Sequence, residues 1–442
     1  METLAAATRA GGPLHGRVKP PGDKSISHRA LIVGLLCVGE TEIEGLLEGG
    51  DILHTAAACA ALGAKVDRRG EGRWSVRGCG IGSLLAPRAP LDFGNSGTGM
   101  RLMMGVAGGH AITAAFDGDA SLRKRPMQRI LDPLCSMGAE VLAQSPGGRC
   151  PILLKGTSEP VPVEFSPPAA SAQIKSAVLL AGLNSPGRTT VIEAEATRDH
   201  TEKMLKYFGA SIETEPFGKH GQKITLEGRP DLRPARVIIP ADPSSAAFPL
   251  VAATIVPRSD IVIEGLMMNP LRTGLLTTLR EMGAHIDILD GRAEGGEEVA
   301  DLRVRAAPLK GVDVPAARAP SMIDEYPILA VAAAFASGET RMRGLAELRV
   351  KESDRLRAVA DGLREAGATC QIIGDDLTVE GRAGDVAGGG MVATHLDHRI
   401  AMSFLCLGLA SRRPMAIDDS RMIATSFPGF RTLMEQLGAR FQ

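Results

Sequence analysis

The chain has 442 residues, of which 44% are hydrophobic, 23% charged and only 3% aromatic, with a formal net charge of −1. That length carries two or three domains around a large core, built here from Ala, Val, Leu, Ile and Met. Balanced charge without a long basic or acidic run argues against nucleic acid or a membrane surface as the main partner, and no stretch reaches the roughly 18 consecutive apolar residues of a membrane-spanning helix. Cysteines 37, 59, 79, 135, 150, 370 and 406 are scattered, with no CxxC pair. Neither a disulfide framework nor a zinc site is expected, and a reducing cytoplasm fits. Met1 to Gly12 is Ala-rich but lacks the apolar stretch of a signal peptide and is too short for an organelle transit peptide.

The first distinctive stretch is Pro20-Pro21-Gly22-Asp23-Lys24-Ser25-Ile26-Ser27-His28-Arg29, followed at once by the apolar run Ala30 to Leu36. This order predicts a loop feeding the N-terminus of a buried helix. Free backbone N–H groups, the helix dipole and fixed cations there favour an anion such as phosphate or carboxylate. A capped helix start with solvated charges has the same sequence pattern.

Two signatures then recur along the chain. Gly-Ala preceded by an apolar residue occurs at Leu62-Gly63-Ala64, Met137-Gly138-Ala139, Phe208-Gly209-Ala210, Met282-Gly283-Ala284, Ala366-Gly367-Ala368 and Leu437-Gly438-Ala439, at glycine spacings of 75, 71, 74, 84 and 71 residues. Each reads as a helix stopped by Gly at C′ with a strand following. Upstream lie apolar helices expected to begin near Ser25, Ser96, Ser171, Ser244, Asp324 and Asp397. The chain is therefore a sixfold repeat of a small α/β unit that must bury its helices with its neighbours. Six units divide into two domains of three, with the boundary near Val237-Ile238-Ile239-Pro240. The stretches Gly291 to Gly296 and Gly388 to Gly390 are expected in surface loops.

Most distinctive polar residues fall at the starts of the six apolar helices, where converging N-termini would suit an anionic ligand. Phe93 to Arg101 offers small residues that admit close backbone approach, with Asn95 and Thr98 as hydrogen-bonding groups; a Gly-rich turn and N-cap reads equally well. In Arg123-Lys124-Arg125-Pro126 three cations precede a proline suited to a first helical position; they form either an anion clamp or a solvated run. Ser171-Ala172-Gln173-Ile174-Lys175 opens the third apolar helix, and Arg198 sits at the start of another. Asp324 is either a general base or an N-cap. Lys351 and Arg355, at i and i+4, are expected on one helix face beside Glu352. His395 and His398 carry only a weak metal signal, with no third ligand evident. No Walker A loop, GxSxG elbow or HExxH motif is present.

Taken together, Gly22 to Arg29, Gly94-Asn95, Lys124-Arg125-Pro126, Ser171-Ala172-Gln173, Arg349 to Arg355 and Asp397-His398-Arg399 resemble the 5-enolpyruvylshikimate-3-phosphate (EPSP) synthase family, in its order and along nearly the whole chain. Gly-Asp-Lys-Ser, Arg198-Asp199-His200-Thr201-Glu202 and Ser171 to Lys175 are similar to the bacterial class II form. The resemblance implies an α/β, two-domain enolpyruvyl transferase fold, an inside-out α/β barrel of six repeated units, three per domain. The domains are expected at residues 20–238 and at 1–19 plus 239–442. It implies transfer of the enolpyruvyl group of phosphoenolpyruvate to the 5-hydroxyl of shikimate 3-phosphate, in a cytoplasmic monomer that needs no metal or organic cofactor.

Carried over residue by residue, the resemblance implies that Lys24, Ser25, Arg29, Ser171, Ala172, Gln173, Arg198, Asp324 and Lys351 hold shikimate 3-phosphate. Lys24, Gly97, Arg125, Gln173, Arg355 and Arg399 are implied for phosphoenolpyruvate, and Asp324, Glu352 and Lys24 for catalysis. Three departures stand out. Tolerant relatives carry Ala where this chain has Gly97, so sensitivity to glyphosate is expected. Asn269-Pro270-Leu271-Arg272 replaces an Asn-Pro-Thr-Arg form. Thr425 stands where many relatives have Lys. The alternatives are an enolpyruvyl transferase acting on UDP-N-acetylglucosamine and a non-catalytic phosphometabolite-binding protein. The first usually bears a catalytic Cys in a mobile loop; Asp119 to Met127 has none, and Cys135 is expected in the core.

Overall fold

Helices apolar on every side have no face to offer solvent and must be buried together. A computed structural model, which describes residues 6–8 and 12–441, forms such helices at Lys24–Leu35, Gly97–Gly108, Ala172–Gly182, Pro243–Ile255, Tyr326–Phe335 and His398–Ala410. Most of the leaderless stretch expected at residues 1–12 lies outside the described residues. Ser96, Ser171, Asp242 and Asp397 cap four of these helices, each side chain accepting a first-turn N–H.

The chain divides into two compact units, Lys24–Ile239 and Met1–Asp23 with Pro240–Gln442, and each holds three of the six helices. In the first, glycines permit close helix packing. A Cβ on Gly105 would collide with the Ala177 carbonyl, and one on Gly109 would lie 2.6 Å from the Ala181 carbonyl oxygen. In the second, Pro243–Ile255, Tyr326–Phe335 and His398–Ala410 share one continuous hydrophobic core.

The Gly-Ala signature closes six further helices, at Gly50–Ala61, Gln128–Ser136, His200–Tyr207, Gly274–Glu281, Arg355–Glu365 and Phe430–Gln436. All six stops have one geometry. The glycine has φ between +76° and +114°. Its N–H bonds the carbonyl three residues back, and the alanine N–H bonds the carbonyl five back, as in Gly63 to Ala60 (3.1 Å) and Ala64 to Cys59 (3.1 Å). This is the Schellman closure, which satisfies the last free carbonyls of a helix.

Among the described residues, six four-stranded sheets accompany the helices. Each runs short strand, parallel partner, then two antiparallel strands, as in Glu164–Phe165, Arg188–Glu193, Gly221–Glu227 and Ile212–Phe217. Three sheets borrow strands from distant sequence. Arg236–Ile238 pairs with Val38–Glu44, and His15–Val18 with Asp260–Met267. Ala6–Thr8 lies between Met415–Ile417 and Arg440–Phe441.

Three local expectations change. Gly291 lies inside the strand His285–Glu294, whose hairpin turns at Gly295 and Gly296; a register shift between Leu289 and Arg292 absorbs the irregularity. Gly388 is buried and bridges Arg413. Cys135 is exposed, because Ile130, Leu131 and Leu134 take the inward face of its helix. All seven cysteines are free thiols. Among the described residues no helix is long and apolar enough to cross a membrane.

Candidate active site

In the unit Lys24–Ile239, the opening stretch of the first buried helix supplies Lys24, Ser25 and Arg29. Lys24 Nζ lies 3.2 Å from Asp51 Oδ2, on the first turn of the next helix. Arg29 is buried one turn further on and ties three helices together. Its Nη1 donates to the Ser25 carbonyl (2.9 Å), its Nε to Thr201 Oγ1 (2.7 Å) and its Nη2 to Ser176 Oγ (2.8 Å). His28 beside it shares hydrogen bonds with Thr55 Oγ1 (2.8 Å) and Ser96 Oγ (3.4 Å). Burial, then the charges of Lys24 and Arg29, hold its imidazole well below the usual range, so it is neutral at pH 7.

Gly97 opens the second buried helix. A Cβ there would stand 3.0 Å from Arg125 Nη1 and 3.5 Å from Arg101 Nη1, so the hydrogen leaves room for two guanidinium groups. The cation run expected as one clamp splits. Arg123 and Lys124 are exposed, with Arg123 paired to Asp117, while Arg125 turns inward. Pro126 precedes the helix Gln128–Ser136 instead of opening it. Arg125 donates to the Asn95 carbonyl (3.3 Å), to Asn95 Oδ1 and to Ser121 Oγ (3.3 Å).

Gln173 joins the second and third buried helices. Its Oε1 accepts from Arg101 Nη1 at 2.5 Å, and its Nε2 donates to Thr98 Oγ1 at 2.9 Å. The amide is therefore held in one orientation. Ser171 caps its helix, accepting from the Ile174 N–H at 3.5 Å, with Ala172 the first helical residue. Arg198 is half-buried on the turn before His200–Tyr207. Arginines and a lysine gathered at helix starts suit an anionic ligand in this unit.

In the other unit, Asp324 sits on the turn before Tyr326–Phe335. Its Oδ1 lies 3.1 Å from Arg355 Nη1 and 3.6 Å from Lys351 Nζ. Arg355 is buried at 1% exposure, which only multiple acidic partners make tolerable. Its Nε and Nη2 reach Asp397 at 2.8 and 3.3 Å, and Nη2 reaches Glu352 Oε2 at 2.5 Å. Burial works to raise the Asp397 carboxyl, but Arg355 outweighs it and holds that group below the carboxylate range. Arg399 Nη1 donates to the Asp324 carbonyl (3.2 Å) and faces Glu325 Oε1 at 3.8 Å. Glu325 in turn accepts from Ser244 Oγ, and that hydroxyl also accepts from Arg272 Nη2 at 2.9 Å.

Asp324, Lys351, Glu352, Arg355 and Arg399 thus form one connected network. Lys351 and Arg355 meet at Asp324 by a different route from the helical spacing expected. The segment is a 3₁₀ turn, Ala346–Val350, and the α-helix begins only at Arg355, because Asp354 caps it by accepting the Arg357 N–H at 3.1 Å. Residues 351 to 354 are extended or turned, so Lys351 reaches Asp324 from outside the helix.

The sequence assigns no separate role to Asp51 or Glu325, and names Arg101 and Asp397 only as parts of the stretches Phe93 to Arg101 and Asp397-His398-Arg399. Asp397 and Glu325 each adjoin a residue that was singled out, and their position at a helix start was the available signal. Arg101 gave none beyond its place one turn after Gly97. Thr425, at the place where many relatives have Lys, ends a 3₁₀ turn and donates to the Met422 carbonyl at 2.7 Å.

Comparison with known proteins agrees along the chain. Residues 8–434 match the family model for EPSP synthase (3-phosphoshikimate 1-carboxyvinyltransferase). A 3-phosphoshikimate 1-carboxyvinyltransferase of Methylorubrum extorquens is 66% identical over 434 residues, covering 98% of this chain and 96% of that protein. One from a Bradyrhizobium species is 64% identical over 445 residues, with all of both chains covered. A solved EPSP synthase from Acinetobacter baumannii superposes with a TM-score of 0.88 at 40% identity, covering 100% of each chain.

Proposed function

The chain belongs to the EPSP synthase family, and on that premise we propose that it transfers the enolpyruvyl group of phosphoenolpyruvate to the 5-hydroxyl of shikimate 3-phosphate, releasing phosphate. The observation that carries the chemistry is the Asp324 carboxylate, held by Lys351 and Arg355 with Glu352 on the same guanidinium. Two carboxyl groups on one shared guanidinium are placed to serve as base and acid toward the same substrate.

In this reading Lys24, Ser25, Arg29, Ser171, Ala172, Gln173 and Arg198 hold shikimate 3-phosphate, with Asp324 and Lys351 at its reacting hydroxyl. Lys24, Gly97, Arg125, Gln173, Arg355 and Arg399 hold phosphoenolpyruvate. Asp324 takes the proton of the 5-hydroxyl as its oxygen bonds C2 of phosphoenolpyruvate. Glu352, with Lys24 sharing the task, delivers a proton to the C3 methylene, and a tetrahedral intermediate forms. Loss of a proton from the new methyl group then expels phosphate and leaves the enol ether. The cations neutralise two polyanions and align them, which is the larger part of the rate enhancement expected. The enzyme works on this reading as a cytoplasmic monomer without nucleic acid.

A phosphate-release assay tests the reading. Release from phosphoenolpyruvate with shikimate 3-phosphate, and none with UDP-N-acetylglucosamine, is expected. Release with the UDP-sugar alone, or binding of both anions without turnover, refutes it.

A further inference from the structure

Lys175 is a buried cation to which the mechanism above gives no task. It lies in the first turn of Ala172–Gly182, the helix that also presents Gln173 and is capped by Ser171. Its Nζ is 2.9 Å from Glu193 Oε2, 2.7 Å from Glu202 Oε1 and 3.3 Å from the Thr197 carbonyl oxygen. These partners bracket Arg198. The Thr197 carbonyl belongs to the peptide that ends on the Arg198 nitrogen, and Glu202 lies in the first turn of the helix beyond it.

Glu193 grips the same residue from the other side. It accepts from the Thr197 N–H at 3.3 Å and from Thr197 Oγ1, and Gln222 Nε2 steadies it at 2.7 Å. Every hydrogen-bonding group of Thr197 is thereby fixed. Burial pulls the Lys175 ammonium down, but Glu202 and Glu193 outweigh it and leave it raised, so the cation persists. A lysine buried between two carboxyl groups is a poor way to gain stability, since apolar residues of similar volume serve as well. The arrangement of these three groups around one peptide points to placement of what that peptide carries.

We infer that Lys175 and Glu193 are positioning residues, which set the turn of Thr197 and Arg198 and so the grip of Arg198 on the phosphorylated acceptor. This rests on the reading of Arg198 as a ligand of shikimate 3-phosphate. Fixing a long cationic side chain at its root removes conformational freedom that binding would otherwise have to remove.

The test uses the full chain and steady-state kinetics with each substrate varied in turn. Thr197→Val deletes one bond to Glu193 and keeps the side-chain shape; Lys175→Met removes the cation. Thr197→Val is expected to raise KM for shikimate 3-phosphate about tenfold, the worth of one charge-assisted hydrogen bond. KM for phosphoenolpyruvate and kcat should stay within about twofold. In an Arg198→Ala background the same substitution should add nothing, because the two act in series. Lys175→Met tests the cation by the same split in KM; if it does not fold, Thr197→Val carries the test. A folded Thr197→Val protein with unchanged KM, an equal rise for both substrates, or full additivity with Arg198→Ala overturns the positioning role. Wild-type protein that neither binds shikimate 3-phosphate nor releases phosphate overturns the enzymatic reading and this one with it. Wild-type turnover beside an unmoved KM overturns this one alone.

Discussion

Gly97→Ala is the most informative single change at the candidate site. The added methyl carbon would lie 3.0 Å from Arg125 Nη1. Comfortable contact begins at about 3.5 Å, so the guanidinium must retreat by roughly half an ångström. It is not free to do so without loss, because the same group donates to the Asn95 carbonyl, Asn95 Oδ1 and Ser121 Oγ. Hydrogen bonds made by charged groups contribute about 1.5–3 kcal/mol each, and a shift of this size forfeits about 1 kcal/mol of that. If Arg125 holds phosphoenolpyruvate, KM for that substrate rises roughly fivefold. KM for shikimate 3-phosphate is unchanged, since Ser25, Ser171 and Arg198 are not touched by the methyl. Glyphosate, expected against this position on the family resemblance, should lose more affinity than phosphoenolpyruvate does. The assay is phosphate release with phosphoenolpyruvate varied at saturating shikimate 3-phosphate, with and without glyphosate. An unchanged KM and an unchanged inhibition constant together refute the argument, as does strong glyphosate tolerance in the wild type.

Lys24→Ala should abolish turnover in a protein that still folds, at a stability cost of about 1–3 kcal/mol because its ion pair with Asp51 is largely buried; near-normal turnover removes Lys24 from the mechanism. Asp324→Asn should lower kcat by about 10²–10⁴, the usual worth of a general base, and a loss below tenfold would assign the proton to another group. Burial lowers the pKa of both His28 and His110 from 6.5. The unfolded chain takes up these protons and the folded chain does not. Stability present above pH 6.5 is therefore lost as pH falls below that value, at up to about 1.4 kcal/mol per pH unit for His28 and with a smaller share from His110. Tm measured between about pH 7.5 and 5.5 should fall, and His28→Gln should make that fall shallower; an identical profile refutes the assignment.

The features legible in the sequence were those written locally. An apolar run needs burial whatever surrounds it, and Gly-Ala after a helix closes it by bonds spanning five residues, so six repeated α/β units could be read directly, while the transferase fold itself followed from the resemblance. The candidate site residues were left open by their local pattern, which fits an N-cap or a solvated charge as well as a ligand, and were named through the family resemblance. Pairings across sequence distance were not. Arg355 meets Asp397 across 42 residues and Arg101 meets Gln173 across 72, and no local pattern encodes either. Lys351 and Arg355 show the opposite failure: a helical spacing was present, but the Asp354 cap started the helix at Arg355. Arg125 parts from Arg123 and Lys124 because their 3₁₀ turn ends before it and its extended backbone lets the guanidinium donate to Asn95 and Ser121.

The borrowed strands set an order of assembly on the ribosome. The unit Lys24–Ile239 lacks nothing once Arg236–Ile238 has emerged to complete its first sheet. His15–Val18 and Ala6–Thr8, by contrast, are made first and must wait for partners at Asp260–Met267 and Met415–Ile417. Leu14, bonded to Ser259, is separated from it by 245 residues, an interval of about 12–50 s at ordinary translation rates of 5–20 residues per second. During that time the leading segment is an unpaired strand open to wrong partners. The unit that begins the chain is the last to be finished.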